Sequence, residues 1–183
     1  MSEKNTVIRS LHDTGLAAWF GGSLMGAVGL NGAAADASDP TERLKISSNG
    51  WGRWAPVSAA AIAAHLVGGA GLINVNRSRL VSQPGAKSNT AVKTALTAAA
   101  LGLTAYSGLL GRQVKQHEHE GARGATEPQP GASEELKKAQ SRLKATQWAI
   151  PAVTGALVVL ASEQGEQQRP RSLVKHQLGR LTS

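Results

Sequence analysis

Residues 54–74 read WAPVSAAAIAAHLVGGAGLIN, and no Asp, Glu, Lys or Arg occurs among them. At 1.5 Å per residue, an α-helix of this length crosses the roughly 30 Å hydrocarbon core of a bilayer. Working outward from this block, the chain holds three more of the same kind. Residues 15–35, GLAAWFGGSLMGAVGLNGAAA, carry no charge. Residues 91–111, AVKTALTAAALGLTAYSGLLG, carry one, Lys93, placed near the start where its long stem can reach the headgroups. Residues 146–162, TQWAIPAVTGALVVLAS, are close to the minimum length for a span, and Pro151 is expected to kink them. The predicted fold class is therefore all-α: an integral membrane helical bundle with about four transmembrane helices.

The average composition hides this pattern. Hydrophobic residues make up 41% of the 183 residues, aromatics only 3%, and the mean hydropathy is −0.19. The polar connections lower that mean. Spans built from Ala and Gly are also less apolar than Leu-rich ones. The competing architecture is a soluble, Ala-rich helical bundle. The clustering of apolar residues into long charge-free blocks favours the membrane.

The connections set the expected organisation. Residues 1–14 form a polar, interfacial segment in which Val7, Ile8 and Leu11 share a helical face. Residues 15–111 hold the first three spans. Between the first two lies a polar loop, 36–53, with Pro40, Asn49, Gly50 and Gly52. Trp51 and Trp54 close it, at the level where Trp collects on membrane interfaces. Pro56 then falls in the first turn of the second span. Residues 112–131 are a flexible polar linker, rich in Gly, Pro and charge. Ser133 is an N-cap, Glu134 and Glu135 suit the first turn, and Glu134 pairs with Lys138 at i,i+4. With Leu136, Ala139 and Leu143 on one side, 132–162 is an amphipathic helix running unbroken into the fourth span. Residues 163–183 form a basic tail in which Arg169, Arg171, Lys175 and Arg180 can meet anionic headgroups.

Residues 1–35 also carry an alternative reading. Lys4 and Arg9 precede an apolar stretch, and Ala33 to Ala37 resemble a small-residue cleavage site, as in a signal peptide. Three later apolar blocks make a retained first span the simpler organisation. Lys and Arg divide evenly between the two sides of a four-span topology. The short loop between the second and third spans carries no acid, which places both termini in the cytoplasm. The Ala, Gly and Arg bias implies a bacterial chain, hence a bacterial inner membrane.

Charge and motifs exclude several functions. The net charge is +8, but the bases flank the apolar blocks, and no helix-turn-helix or zinc finger supports nucleic-acid binding. The chain contains no cysteine, so disulfides, thiolate chemistry and cysteine metal clusters are ruled out. There is no catalytic motif, no cofactor motif and no carboxylate within a block, so no catalytic residue, metal or cofactor is assigned. His117 to Glu120 alternate His and Glu on a polar connection without a third ligand in a fixed frame.

Two sets of residues remain. Small residues at spacing four suit close helix packing in lipid: Gly22 and Gly26, then Ala60, Ala64 and Gly68, then Ala98 and Gly102. His65 is the one ionisable side chain near the middle of a span, and such a group is a functional candidate by default. Its structural alternative is a neutral imidazole bonded to Thr97, Thr104, Tyr106 or Thr154 on a neighbouring helix. The expected function is a non-catalytic accessory or scaffolding component, with the lipid bilayer, a membrane protein or a second copy of itself as partner. The alternative is a small transporter, channel or redox-partner subunit using His65.

Overall fold

The computed structural model describes residues 3–77 and 84–167. The all-α expectation holds. The chain forms α1 (Glu3–Met25), a π-helical segment (Gly26–Leu30), α2 (Asn31–Ala35), α3 (Pro40–Val75), α4 (Pro84–Gln116) and α5 (Glu134–Gln167). Three helical stretches, Pro40–Val75, Ser88–Gln116 and Glu134–Ser162, are long and apolar enough to cross a membrane by length and composition. The first block, 15–35, is helical throughout but is not among them, and the π segment interrupts it.

The helices pair as two antiparallel hairpins. α1 packs along α3, and α4 packs along α5. α1 joins the pairs by also lying against α5. The 1–14 segment is not a separate interfacial helix, because α1 begins at Glu3 and runs into the first block. Val7 and Leu11 stay exposed on it, while Ile8 fits over Gly71 of α3.

The loop expected at 36–53 is mostly helix, because its proline is a start signal. Asp39 accepts hydrogen bonds from the Thr41 N–H at 2.7 Å and the Thr41 hydroxyl at 2.8 Å. Pro40 then occupies the first helical turn, where its missing N–H costs nothing, and Glu42 adds a favourable charge there. Pro56 consequently lies inside α3 and not in its first turn. Beyond the π segment, Asn31 donates to Gln147 Oε1 at 2.7 Å and accepts from Trp51 Nε1 at 3.0 Å and from the Ser47 hydroxyl at 3.2 Å. One polar node thus ties α2, α3 and α5 together.

Residues 112–131, expected as a flexible linker, hold local structure. α4 extends to Gln116, and a single 3-10 turn covers Glu118–Glu120. Strands β1 (Ala122–Gly124) and β2 (Glu127–Pro128) then pair antiparallel. Gly121 and Gly131, at φ +72° and +87°, take the left-handed backbone that lets the chain turn on either side of this hairpin. Buried Gln140 donates through Nε2 to the Gly124 and Ala125 carbonyls at 3.2 Å each, and Arg43 donates to the Ala37, Ala122 and Arg123 carbonyls. Polar composition signalled disorder, but here the polar groups hold the hairpin's backbone in place. Leu44, Leu110, Val114, Leu136 and Leu143 form the small apolar core beneath it.

Ser133 caps α5 as expected, accepting from the Leu136 N–H at 3.2 Å. Leu136, Ala139 and Leu143 are all buried, and the helix continues into the fourth block without interruption. Glu134 pairs with Lys137 at 2.9 Å, at i,i+3 and not with Lys138. Arg169, Arg171, Lys175 and Arg180 lie outside the described residues.

Candidate functional site: a histidine pair beside a basic cavity

The α1–α3 seam is built on glycine. A Cβ on Gly15 would stand 2.5 Å from the Ala61 carbonyl oxygen and 2.6 Å from the His65 nitrogen. A Cβ on Gly68 would stand 2.5 Å from the His12 nitrogen. Both neighbours are backbone and cannot rotate away. Further along, Gly22 lies under the ring of Trp54 and Gly26 under the ring of Trp51. The Gly22 and Gly26 pair therefore does pack, although it receives indole rings and not a second backbone. Trp51 and Trp54 are half-buried in these contacts.

The expected stripe on α3 holds at Gly68 and is displaced by one residue at its two alanines. Ala61, His65 and Gly68 are buried, whereas Ala60 is exposed and Ala64 half-buried. Ala98 and Gly102 on α4 are both exposed, and a Cβ on Gly102 would touch nothing within 4 Å. In a sequence this rich in alanine, several faces satisfy the small-residue spacing, and only the inward-facing His65 marks the correct one.

His65 is buried, but its partner is none of the four predicted. Its Nδ1 lies 3.1 Å from the His12 carbonyl oxygen, and His12 Nδ1 lies 3.0 Å from the His65 carbonyl oxygen. A carbonyl can only accept, so both imidazoles carry hydrogen on Nδ1 and donate it across the seam. The rings stack with centroids 4.1 Å apart and an interplanar angle of 22°, and Trp19 meets His65 edge-on at 6.2 Å. Trp19 in turn donates to the Thr104 hydroxyl at 3.2 Å, and Thr154 is satisfied within its own helix by the Ile150 carbonyl at 2.8 Å. Stacked rings do not place two Nε2 atoms on opposite sides of one metal, so this pair is not a bis-histidine axial site. Among the described residues, no group of three or more His, Cys, Asp or Glu converges as a metal site.

His12 escaped the sequence reading because it lies in the polar N-terminal stretch. The signal was present: Ile8, His12, Gly15, Trp19, Gly22 and Gly26 recur at spacings of three and four, which is one continuous helical face.

Beside the histidine pair lies a cavity of about 440 Å³, within the roughly 300–1,000 Å³ range of small-molecule sites. His12 and His65 contribute to its wall, along with the apolar Leu66, Ile73, Leu101 and Leu157. Arg9, Lys93 and the polar Asn76, Thr90, Thr94 and Thr97 supply its hydrogen-bonding groups. The cavity sits among the first half of α1, the end of α3, the start of α4 and the end of α5. This is the opposite end of the bundle from the hairpin cap.

The ionisable groups of the cap are held by local bonds. Hydrogen bonds from the Ser133 N–H at 2.7 Å and hydroxyl at 2.8 Å keep the Glu120 carboxyl below the usual range. Burial pushes Glu127 up, but bonds from Thr126 and Lys144, the latter at 3.0 Å, outweigh it and leave the carboxyl lowered.

Compared with protein-family models, curated proteins and solved structures, the chain finds no match.

Proposed function

We propose that this chain is a multi-pass protein of a bacterial inner membrane, with both termini cytoplasmic, that acts as a non-catalytic accessory or scaffolding component. One observation carries the reading: the distribution of apolar surface. Only 17, 11 and 33% of the most apolar windows of α3, α4 and α5 is buried within the chain. Val57, Val67, Val92, Leu109 and Val159 face outward, while Ser23, His65, Gln147 and Thr154 are inside. In water this arrangement leaves a large apolar surface exposed, whereas in lipid that surface is solvated and the polar groups find their partners inside the chain. The histidine pair fits a scaffold, because each imidazole uses its Nδ1–H to hold the neighbouring helix.

Carbonate washing of membranes tests the insertion. The chain is expected to stay in the pellet and to require detergent for release; release by carbonate would refute insertion. His65→Ala tests the role. Retained assembly and unchanged host growth support the scaffold. Loss of a transport or electron-transfer activity from a still-folded protein would establish the alternative, a small transporter, channel or redox-partner subunit, for which the His-lined cavity is the supporting observation.

A further inference from the structure

We infer that the cavity between α1, α3, α4 and α5 binds one anionic amphiphile, an acyl chain bearing an acidic headgroup, from the surrounding leaflet. The inference rests on the membrane reading above and adds a ligand to it. Three features of the cavity point to this chemistry. Leu66, Ile73, Leu101 and Leu157 make an apolar wall from three helices, so the chamber suits hydrocarbon. Arg9 and Lys93 come to it from α1 and α4, so positive charge enters from two sides. Among the described residues, no Asp or Glu lines it. Asp13 interacts with Lys93 electrostatically but is not part of the wall, so the described lining carries only neutral and basic groups.

Geometry separates head from tail. Arg9 and Thr90 stand towards helix ends on the side shared by the N-terminus and the α3–α4 connection. Leu101 and Leu157 lie deeper along their helices. An acidic headgroup therefore meets Arg9, Lys93 and the threonine hydroxyls, while the chain runs inward past His65. Basic pockets between transmembrane helices recognise acidic headgroups by this combination of charge and depth. Arg supplies several directed donors and Lys a compact charge, so phosphate and carboxylate are both served. Choline lipids carry a cation next to the phosphate and match the site poorly.

The test uses the full chain purified in a mild non-ionic detergent and examined by native mass spectrometry. Three probes are added separately: dioleoyl phosphatidylglycerol, oleate and dioleoyl phosphatidylcholine. One equivalent of phosphatidylglycerol or of oleate is expected to remain bound, and which of the two persists identifies a bilayer lipid or a free fatty acid as the source. Arg9→Gln with Lys93→Gln should weaken retention on the order of tenfold or more, the scale of losing charge-assisted contacts. Thr97→Trp, which fills the chamber, should abolish it, while Arg112→Gln, a base at the far end of α4, should leave it unchanged. Circular dichroism checks that each variant remains helical. Equal retention of phosphatidylcholine, or full retention of the acidic probes by both cavity variants, overturns the inference. A chain that stays monomeric in solution without detergent overturns the membrane reading instead, so the two failures are distinguishable.

Discussion

The α1–α3 seam and the hairpin cap hold the same bundle together by opposite means. In the seam, Gly15 and Gly68 let two backbones touch, and a reciprocal pair of imidazole–carbonyl bonds joins them. In the cap, Arg43, Gln140 and Glu120 reach across gaps to bond loop backbone. The seam is a matter of shape and the cap a matter of hydrogen-bond satisfaction. On the membrane reading proposed above, helices in lipid gain little hydrophobic drive, so close fit must supply it in the seam, whereas water competes for every bond of the loop backbone at the bundle's end, so many directed contacts are used there.

The largest expected effect breaks the seam. Gly68→Ala drives a methyl into the His12 backbone and Gly15→Ala drives one into Ala61 and His65. Each should cost about 1–3 kcal/mol or more, the range for overpacking where the neighbours cannot yield. Thermal unfolding in detergent reads this directly. Wild-type stability in both variants would mean that α1 and α3 do not approach as described. Gly22→Ala should cost less than either, because the Trp54 ring can shift where backbone cannot.

A smaller effect tests the cap. Gln140→Ala removes the donor that serves the Gly124 and Ala125 carbonyls, leaving buried acceptors unsatisfied at about 1–3 kcal/mol. Its Oε1 has no hydrogen-bond partner, so part of that loss is recovered when the whole side chain goes, and the lower half of the range is expected. Hydrogen exchange should show faster opening of 120–130 with the α1–α3 seam unaffected. Loosening of both regions together would dissolve the distinction between them.

Acid should also act on the cap. Glu120 binds its proton less tightly when folded, chiefly because its carboxylate accepts from the Ser133 N–H. Its contribution is therefore complete above the unfolded pKa of about 4.3 and is lost as pH falls through the lower folded value. Protection of the Ser133 amide should fall across that acidic window in the wild type. In Glu120→Gln the fall should vanish. An unchanged profile in the variant would assign the effect to another carboxylate.

This division also explains what could be read from the sequence. The long helices were legible because charge is scarce over whole blocks that are long enough to span a bilayer. Their boundaries were not, since Asp39 and Pro40 signal both a loop and a helix start, and only the Thr41 bonds decide between them. The cap was unreadable because its order comes from Arg43 and Gln140, which are distant in sequence from the hairpin they hold. His65 was found by its type, as a polar residue in an apolar run. Its partner His12 could be found only by following helical spacing through a polar segment. The small-residue stripe on α3 was right at Gly68 and off by one at Ala60 and Ala64, since among consecutive alanines nothing local distinguishes 60 from 61.

The smallest expected effect is the sharpest control on the seam. Gly102 has the same residue type and the same helical setting as Gly68, but a Cβ there meets open space. Gly102→Ala should therefore be neutral or stabilising by up to about 1 kcal/mol, the helix-propensity difference between the two residues. If instead it destabilises as Gly68→Ala does, the exposed face of α4 is covered when the protein is assembled. The cost should then depend on protein concentration in detergent, since a second copy of the chain, with Gly108 and Gly111 also open on α4, would be what the new methyl strikes.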